Sequence, residues 1–193
     1  MEINNLFSVK NKVVVVTGGS RGIGEMITAG FLANGAKVYI SARKAPALIE
    51  KANELSDKYN AECIAIPCDL SNVEGIEAFS NEIKEREEGI DFLINNAGAA
   101  WAEPFESFSE AGWDKVMNLN VRSMFFLTQK MKSLLKLRAS VEDPSRVVNI
   151  GSIDGLNVPA FETYSYSTSK AAVHHLTRVM AAKLVKEDIL VNA

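Results

Sequence analysis

The sequence predicts an α/β protein built on a doubly wound parallel sheet with helices on both faces. Three observations carry that reading. Six short apolar runs rich in β-branched residues recur along the 193 residues, helix-like segments separate them, and a glycine-rich turn follows the first run. Strand and helix in strict alternation imply right-handed crossovers and parallel strands buried on both faces.

The strand candidates in order are "KVVVVTG" (12–18), "AKVYISA" (36–42), "ECIAIPC" (62–68), "DFLINNAG" (91–98), "RVVNIGS" (146–152) and "DILVNA" (188–193). Helical patterns fill the gaps near 22–34, 46–59, 72–87, 110–138 and 165–186, with Gly35 as the stop of the first. No linker, repeat or low-complexity tract divides the chain, so residues 1–193 read as one domain.

Composition narrows the function. A net charge of −3 with no basic stripe argues against a nucleic-acid surface and for a small soluble partner. No apolar run reaches the ~20 residues that span a bilayer, which argues against a membrane protein. The start "MEINNLFSVKNK" lacks a signal-peptide core, so the expected location is cytoplasmic. Cys63 and Cys68 have no second pair or nearby histidine and read as reduced core thiols. His174 and His175 are adjacent, which on a helix turns them about 100° apart, so packing or surface positions are expected and no metal site.

The stretch "TGGSRGIG", Thr17 to Gly24, joins the first strand to the first helix. Glycines let backbone N–H groups approach an anion, and the helix start adds unpaired N–H groups and partial positive charge. A phosphate or pyrophosphate is the natural guest, although a tight turn with no ligand would use the same glycines. About 20 residues further on, a site for NAD offers an acid to the ribose 2′-hydroxyl. Here "YISARK" has none, while Arg43 follows the strand and Arg21 lies in the loop. Guanidinium groups suit a 2′-phosphate, which favours NADP(H).

Tyr166 and Lys170 of "YSYSTSK" are i and i+4 on one helix, so they share a face. Tyrosine ionises near pH ~10 in isolation, and an adjacent ammonium stabilises its phenolate, so the pair suits proton transfer at neutral pH. Tyr164 has Thr168 at the corresponding place. Ser152 ends "RVVNIGS", where its hydroxyl can bond a reacting carbonyl or simply cap a turn.

Together these residues resemble the short-chain dehydrogenase/reductase family and its Rossmann fold. Its marks occur in order: T-G-x3-G-x-G at Thr17–Gly24, N-N-A-G at Asn95–Gly98, Asn120 in "MNLNVRS", Ser152, and Tyr166 with Lys170. The resemblance covers essentially the whole chain. Segments "NNAGAAWAEPFES" and "ASVEDPSRVVNIGS" make it most similar to 3-oxoacyl carrier-protein reductases of the rhamnolipid-biosynthesis type.

The resemblance implies a catalytic set of Asn120, Ser152, Tyr166 and Lys170. Tyr166 would protonate the carbonyl, Lys170 would assist it and hold the nicotinamide ribose, Ser152 would orient the carbonyl, and Asn120 would hold a water in a proton relay. Cofactor contacts would come from Gly18, Ser20, Arg21, Gly22, Ile23 and Gly24 in the loop, and from Arg43 after the second strand. Asp69 and Leu70 would meet the adenine, Asn96, Ala97 and Gly98 the adenosine ribose, and Tyr166 and Lys170 the nicotinamide end. Asn95 would instead brace neighbouring strands, and Ser123, where the family often has glycine, would concern helix packing.

The implied reaction is NADPH-dependent reduction of a carbonyl, in particular a 3-oxoacyl thioester presented on an acyl carrier protein, by a homodimer or homotetramer. The chain stops at "DILVNA", and the resemblance implies a missing C-terminal part with a P-G motif, a substrate loop and a seventh strand. That leaves a second reading open, a nucleotide-binding or interaction protein without turnover. The rather apolar "IDGLNVPAFETYSY" and Trp101 near the pocket suit an acyl chain.

Overall fold

The computed structural model describes residues 7–193, so part of the reading of the chain start, at residues 1–6, lies outside the described residues. Six parallel strands, β1 (Val13–Thr17), β2 (Lys37–Ala42), β3 (Cys63–Pro67), β4 (Phe92–Asn95), β5 (Ser145–Asn149) and β6 (Ile189–Asn192), form one sheet in the order β3-β2-β1-β4-β5-β6. Strand order reverses between β1 and β4, and in sheets of this kind ligands bind in the crevice beyond the carboxyl ends of the strands at that point.

The valines of β1 show why the sheet needs cover on both sides. Val13 and Val15 point into one core and Val14 and Val16 into the other, all 5% exposed or less. The first core packs against α3 (Val73–Arg86), α5 (Ser123–Arg138) and α6 (Tyr164–Leu184) through Phe79, Leu127, Met131 and Met180. The second packs against α1 (Gly22–Ala33) and α2 (Ala45–Tyr59) through Leu32, Leu48 and Leu55. Each fully buried Leu or Phe in these layers contributes ~1.5–3 kcal/mol of transfer free energy.

Local signals set the ends of the helices. Gly35, at φ +79°, turns the chain after α1, and Asn60 adopts φ +48° after α2. The Asn72 side chain accepts from the Gly75 N–H at 2.7 Å and starts α3. The strands are shorter than their sequence windows because the windows ran on into loops: residues 96–98 and 150–152 leave the sheet at its carboxyl edge.

The single helix expected over 110–138 is corrected. α4 (Glu110–Met117) passes into a π-helical turn, Asn118–Arg122, before α5 begins. Such turns add a residue to the helix and turn a side chain out of its usual register. Here the turn holds Asn120, 1% exposed, at the crevice. Ser123 just after it donates to the Leu119 carbonyl at 2.6 Å, so its hydroxyl is spent within the helix.

Among the described residues no helix is long and apolar enough to cross a membrane, and no group of three His, Cys, Asp or Glu side chains is placed to hold a metal ion. Burial pushes the Cys63 and Cys68 thiols up, to about 12 and about 11.

Candidate active site

Three strands deliver their carboxyl ends to the crevice, and a buried polar ladder fixes their relative height. Strand pairing sets Asn95 of β4 beside Asn149 of β5. The Asn95 amide donates to Asn149 Oδ1 at 2.9 Å and to Thr128 Oγ1 of α5 at 3.2 Å, and Asn149 donates to Thr177 Oγ1 of α6 at 2.9 Å. Asn95 therefore braces strands, as expected, and does not face a ligand.

The glycine loop is tightly packed at Gly18 and Gly24 and open at Gly22. Gly18 has φ +64°, and a Cβ on Gly24 would lie 2.2 Å from the Gly18 carbonyl oxygen and 2.4 Å from Asn96 Nδ2. Gly22, at φ +56°, meets nothing within 4 Å and faces open space. Arg21 precedes α1 without giving it a side-chain cap, and Ile23 is exposed, so the first N–H groups of the helix are left to a ligand or solvent. This cradle, closed to a methyl group at Gly24 and open at Gly22, fits a dinucleotide pyrophosphate. Ser20 is half-buried in the loop and Arg21 is exposed beside it.

Asn96 ties this loop to β4. Its amide nitrogen donates to the Thr17 and Gly18 carbonyls at 2.9 and 3.1 Å, while Thr17 Oγ1 accepts from the Asn96 and Ala97 N–H groups. Both amide protons of Asn96 are thus taken within the protein, as are the Asn96 and Ala97 N–H groups, so a ligand would be met by the remaining acceptors and by the exposed Gly98.

At the far end, Arg43 is exposed just beyond β2. The Ser71 backbone N–H, at 3.0 Å, holds the Asp69 carboxyl below its usual range; burial opposes this, and the Ser71 hydroxyl and the Arg43 charge add to it. The Leu70 side chain is 4% exposed within the first core, which leaves its backbone as the part that could meet an adenine.

The remaining residues gather between β4, β5 and α6. Lys170 is 6% exposed, its Nζ lies 5.6 Å from the centre of the Tyr166 ring and donates to the Ile150 carbonyl at 2.6 Å. Burial pushes its ammonium down from the ordinary lysine value. Asn120 Oδ1 accepts from the Ala99 N–H at 2.8 Å, and its amide donates to the Ala99 carbonyl and to Ser169 Oγ at 2.9 and 3.0 Å. Ser169 in turn donates to the Tyr166 carbonyl at 2.7 Å, linking the β4 loop to the first turn of α6. Both amide protons of Asn120 are therefore used within the protein, leaving one Oδ1 lone pair for a water.

Ser152 heads the short turn Ile153–Gly155, and its Oγ accepts from the Asp154 N–H at 3.2 Å. The turn-cap role and the substrate role coexist, because accepting that bond leaves the hydroxyl proton free to donate. Sequence reasoning missed His174, whose Nε2 stands 3.0 Å from the Ser152 carbonyl oxygen. The signal was available: His174 is four residues past Lys170 and eight past Tyr166, on the same stripe of α6.

This architecture has close counterparts. The short chain dehydrogenase profile matches residues 12–193. Over 186 residues the chain is 45% identical to a rhamnolipids biosynthesis 3-oxoacyl-[acyl-carrier-protein] reductase of Pseudomonas aeruginosa, covering 96% of this chain and 72% of that protein. A solved RhlG/NADP active-site complex from Pseudomonas aeruginosa superposes with a TM-score of 0.93 at 46% identity, covering 96% of this chain and 72% of that one. The 2-dehydro-3-deoxy-D-gluconate 5-dehydrogenase of Escherichia coli is 33% identical over 196 residues, 99% of this chain and 73% of that protein. A topology reversing between β1 and β4, a glycine cradle at that point and a profile match over nearly the whole chain agree, and the chain belongs to the short-chain dehydrogenase family of oxidoreductases.

Proposed function

We propose that the chain is an NADP(H)-dependent carbonyl reductase acting on a 3-oxoacyl thioester. The observation that carries the chemistry is a buried ammonium, Lys170, one helical turn from Tyr166 and close to the face of its ring. The bound dinucleotide would supply the hydride. Backbone N–H groups at Gly22, Ile23 and Gly24 hold its pyrophosphate, Arg21 and Arg43 meet the 2′-phosphate, and Asp69 lies at the adenine end.

On the reacting side, Ser152 donates its hydroxyl proton to the carbonyl oxygen and fixes its direction. Tyr166 delivers its phenolic proton to that oxygen as negative charge develops there. The phenolate left behind is stabilised by the Lys170 charge, worth more in a half-buried crevice than in water. Asn120 keeps the β4 loop and the first turn of α6 in register, and its free Oδ1 lone pair receives the water through which the proton is replaced.

Substrate class rests on the rim and on kinship. Ile153, Leu156, Val158, Phe161 and Phe105 are exposed apolar residues in the segments leading to and facing α6, a surface suited to an alkyl chain. The relative with 45% identity carries a 3-oxoacyl-[acyl-carrier-protein] reductase name, which favours a thioester carried by an acyl carrier protein over a sugar acid. An apolar groove between α5 and α6, lined by Phe125, Leu176, Val179, Met180 and Leu184, is the face through which a homodimer or homotetramer would form.

A 3-oxoacyl-CoA should drive NADPH oxidation by the protein, with NADH much less effective. Tyr166→Phe should lower kcat at least ~100-fold while leaving NADPH affinity intact. Arg43→Ala should weaken NADPH about tenfold and NADH little. Retained turnover in Tyr166→Phe would remove the proton donor from the scheme, and equal affinity for the two cofactors would remove the 2′-phosphate assignment.

A further inference from the structure

His174 has no part in the reaction scheme above, yet it reaches the residue that orients the carbonyl. A carbonyl oxygen can only accept, so the 3.0 Å contact between Nε2 and the Ser152 oxygen requires the proton to sit on Nε2. The same oxygen accepts from the Gly155 N–H at 3.1 Å. The imidazole also covers Gly151: a Cβ there would lie 2.7, 3.2 and 3.4 Å from Cε1, Nε2 and Nδ1, so all three ring atoms crowd the bare Cα. Two residues before Ser152, the Ile150 carbonyl is held by Lys170 at 2.6 Å, and Gly155 packs against the Lys170 backbone, where a Cβ would come within 2.5 Å of the carbonyl carbon.

Successive turns of α6 therefore grip the segment 150–155 on both sides of Gly151. We infer that His174 is a positioning residue for Ser152: as an Nε2–H donor it locks the Ser152 peptide, and with it the aim of the Ser152 hydroxyl at the substrate carbonyl. Without the imidazole the Ser152 oxygen keeps only the Gly155 donor and the space beside Gly151 opens. The peptide between 152 and 153 is then held only from the side of its own turn, and a shift of that peptide carries the Ser152 Cα with it. A sub-ångström loss of aim reduces the chemical step while leaving the dinucleotide cradle untouched.

The consequence for turnover rests on the carbonyl-reductase reading, while the contact itself does not. His174→Leu removes the donor and His174→Gln keeps an amide donor of similar reach without the ring. The leucine variant should lose about tenfold in kcat with NADPH affinity unchanged, and the glutamine variant should recover to within about threefold of the parent. On the unliganded protein, long-range proton–nitrogen correlation spectra at neutral pH should find the His174 Nε2 protonated. A leucine variant with parental kcat, a glutamine variant as impaired as the leucine one, or an unprotonated Nε2 would each overturn the inference. Should the parent reduce no ketone, the reductase reading falls and the nitrogen spectrum still decides the contact.

Discussion

The glycine loop after β1 and the wall formed by β5 and α6 face the same crevice but are made of different material. The loop is backbone against backbone: Gly24 sits so close to Gly18 that a methyl group has nowhere to go. The wall is made of side chains on well-packed elements, with Asn120, Ser152, Tyr166, Lys170 and His174 joined through the Ala99, Ile150 and Ser152 backbone. An anion needs several N–H groups at once, which only bare backbone can bring together, whereas moving a proton needs particular ionisable groups. The loop should therefore resist added carbon where Gly24 meets Gly18, and the wall should tolerate isosteric change in its fold while losing its chemistry.

The largest expected effect breaks the loop. Gly24→Ala places a Cβ 2.2 Å from the Gly18 oxygen and should cost about 3 kcal/mol or more of stability, together with NADPH binding. Gly30, on the same helix, has nothing within 4 Å of its would-be Cβ, so Gly30→Ala should stabilise by about 0.5–1 kcal/mol. Urea unfolding of the two variants separates a packing clash from a helix-propensity effect. Similar stabilities for both would mean that the loop has room the comparison denies it.

A smaller effect tests the wall at its most structural member. Asn120 makes three hydrogen bonds while 1% exposed, so Asn120→Ala leaves the Ala99 N–H and carbonyl and the Ser169 hydroxyl short of partners. The expected loss is about 2–3 kcal/mol, with turnover falling alongside. Tyr166→Phe by contrast should leave the melting temperature within a degree or two, because no protein partner holds its hydroxyl among the described hydrogen bonds. If Asn120→Ala melted like the parent, the link from the β4 loop to α6 would be dispensable.

The two walls also differ in how far the sequence reveals them. A glycine pattern reports backbone geometry directly, and the valine run before it reports burial on both faces, so cradle and sheet follow from local residues. Tyr166 and Lys170 are legible because four residues are about one helical turn. Less legible were features in which tertiary packing overrides local pattern. Continuous helical periodicity over 110–138 hides the extra residue of the π turn at Asn120. The bonds of the Asn96 amide to the Thr17 and Gly18 carbonyls answer a demand created only when β4 lies beside β1. Reading His174 against its neighbour His175, and not against Lys170 one turn away, hid its position on the catalytic stripe.

The smallest effect asks what the wall costs the fold. Lys170 is a buried ammonium with one hydrogen-bonded partner among the described residues, the Ile150 carbonyl, and burial lowers its proton affinity in the folded state. Lys170→Met keeps a long unbranched chain and removes the charge, so it should abolish turnover and raise stability at pH 7 by about 1 kcal/mol, roughly 2–4 °C in melting temperature. The gain should depend on pH with a definite sign. Well below both ionisations the folded and unfolded lysine are equally protonated, and the burial penalty is at its full value. As pH rises through the depressed folded value towards 10.5, the folded protein releases its proton first. The parent then gains stability relative to the variant, and the difference between them shrinks. Tyr39, raised to about 12 by burial and its bond to Glu87, and the thiols of Cys63 and Cys68 act in the opposite direction over part of that range. They are present in both proteins and cancel in the difference. Melting curves of parent and variant from pH 7 to 10 decide the matter: a variant less stable at pH 7, or a difference that stays constant, would mean that the Lys170 ammonium is fully compensated where it lies.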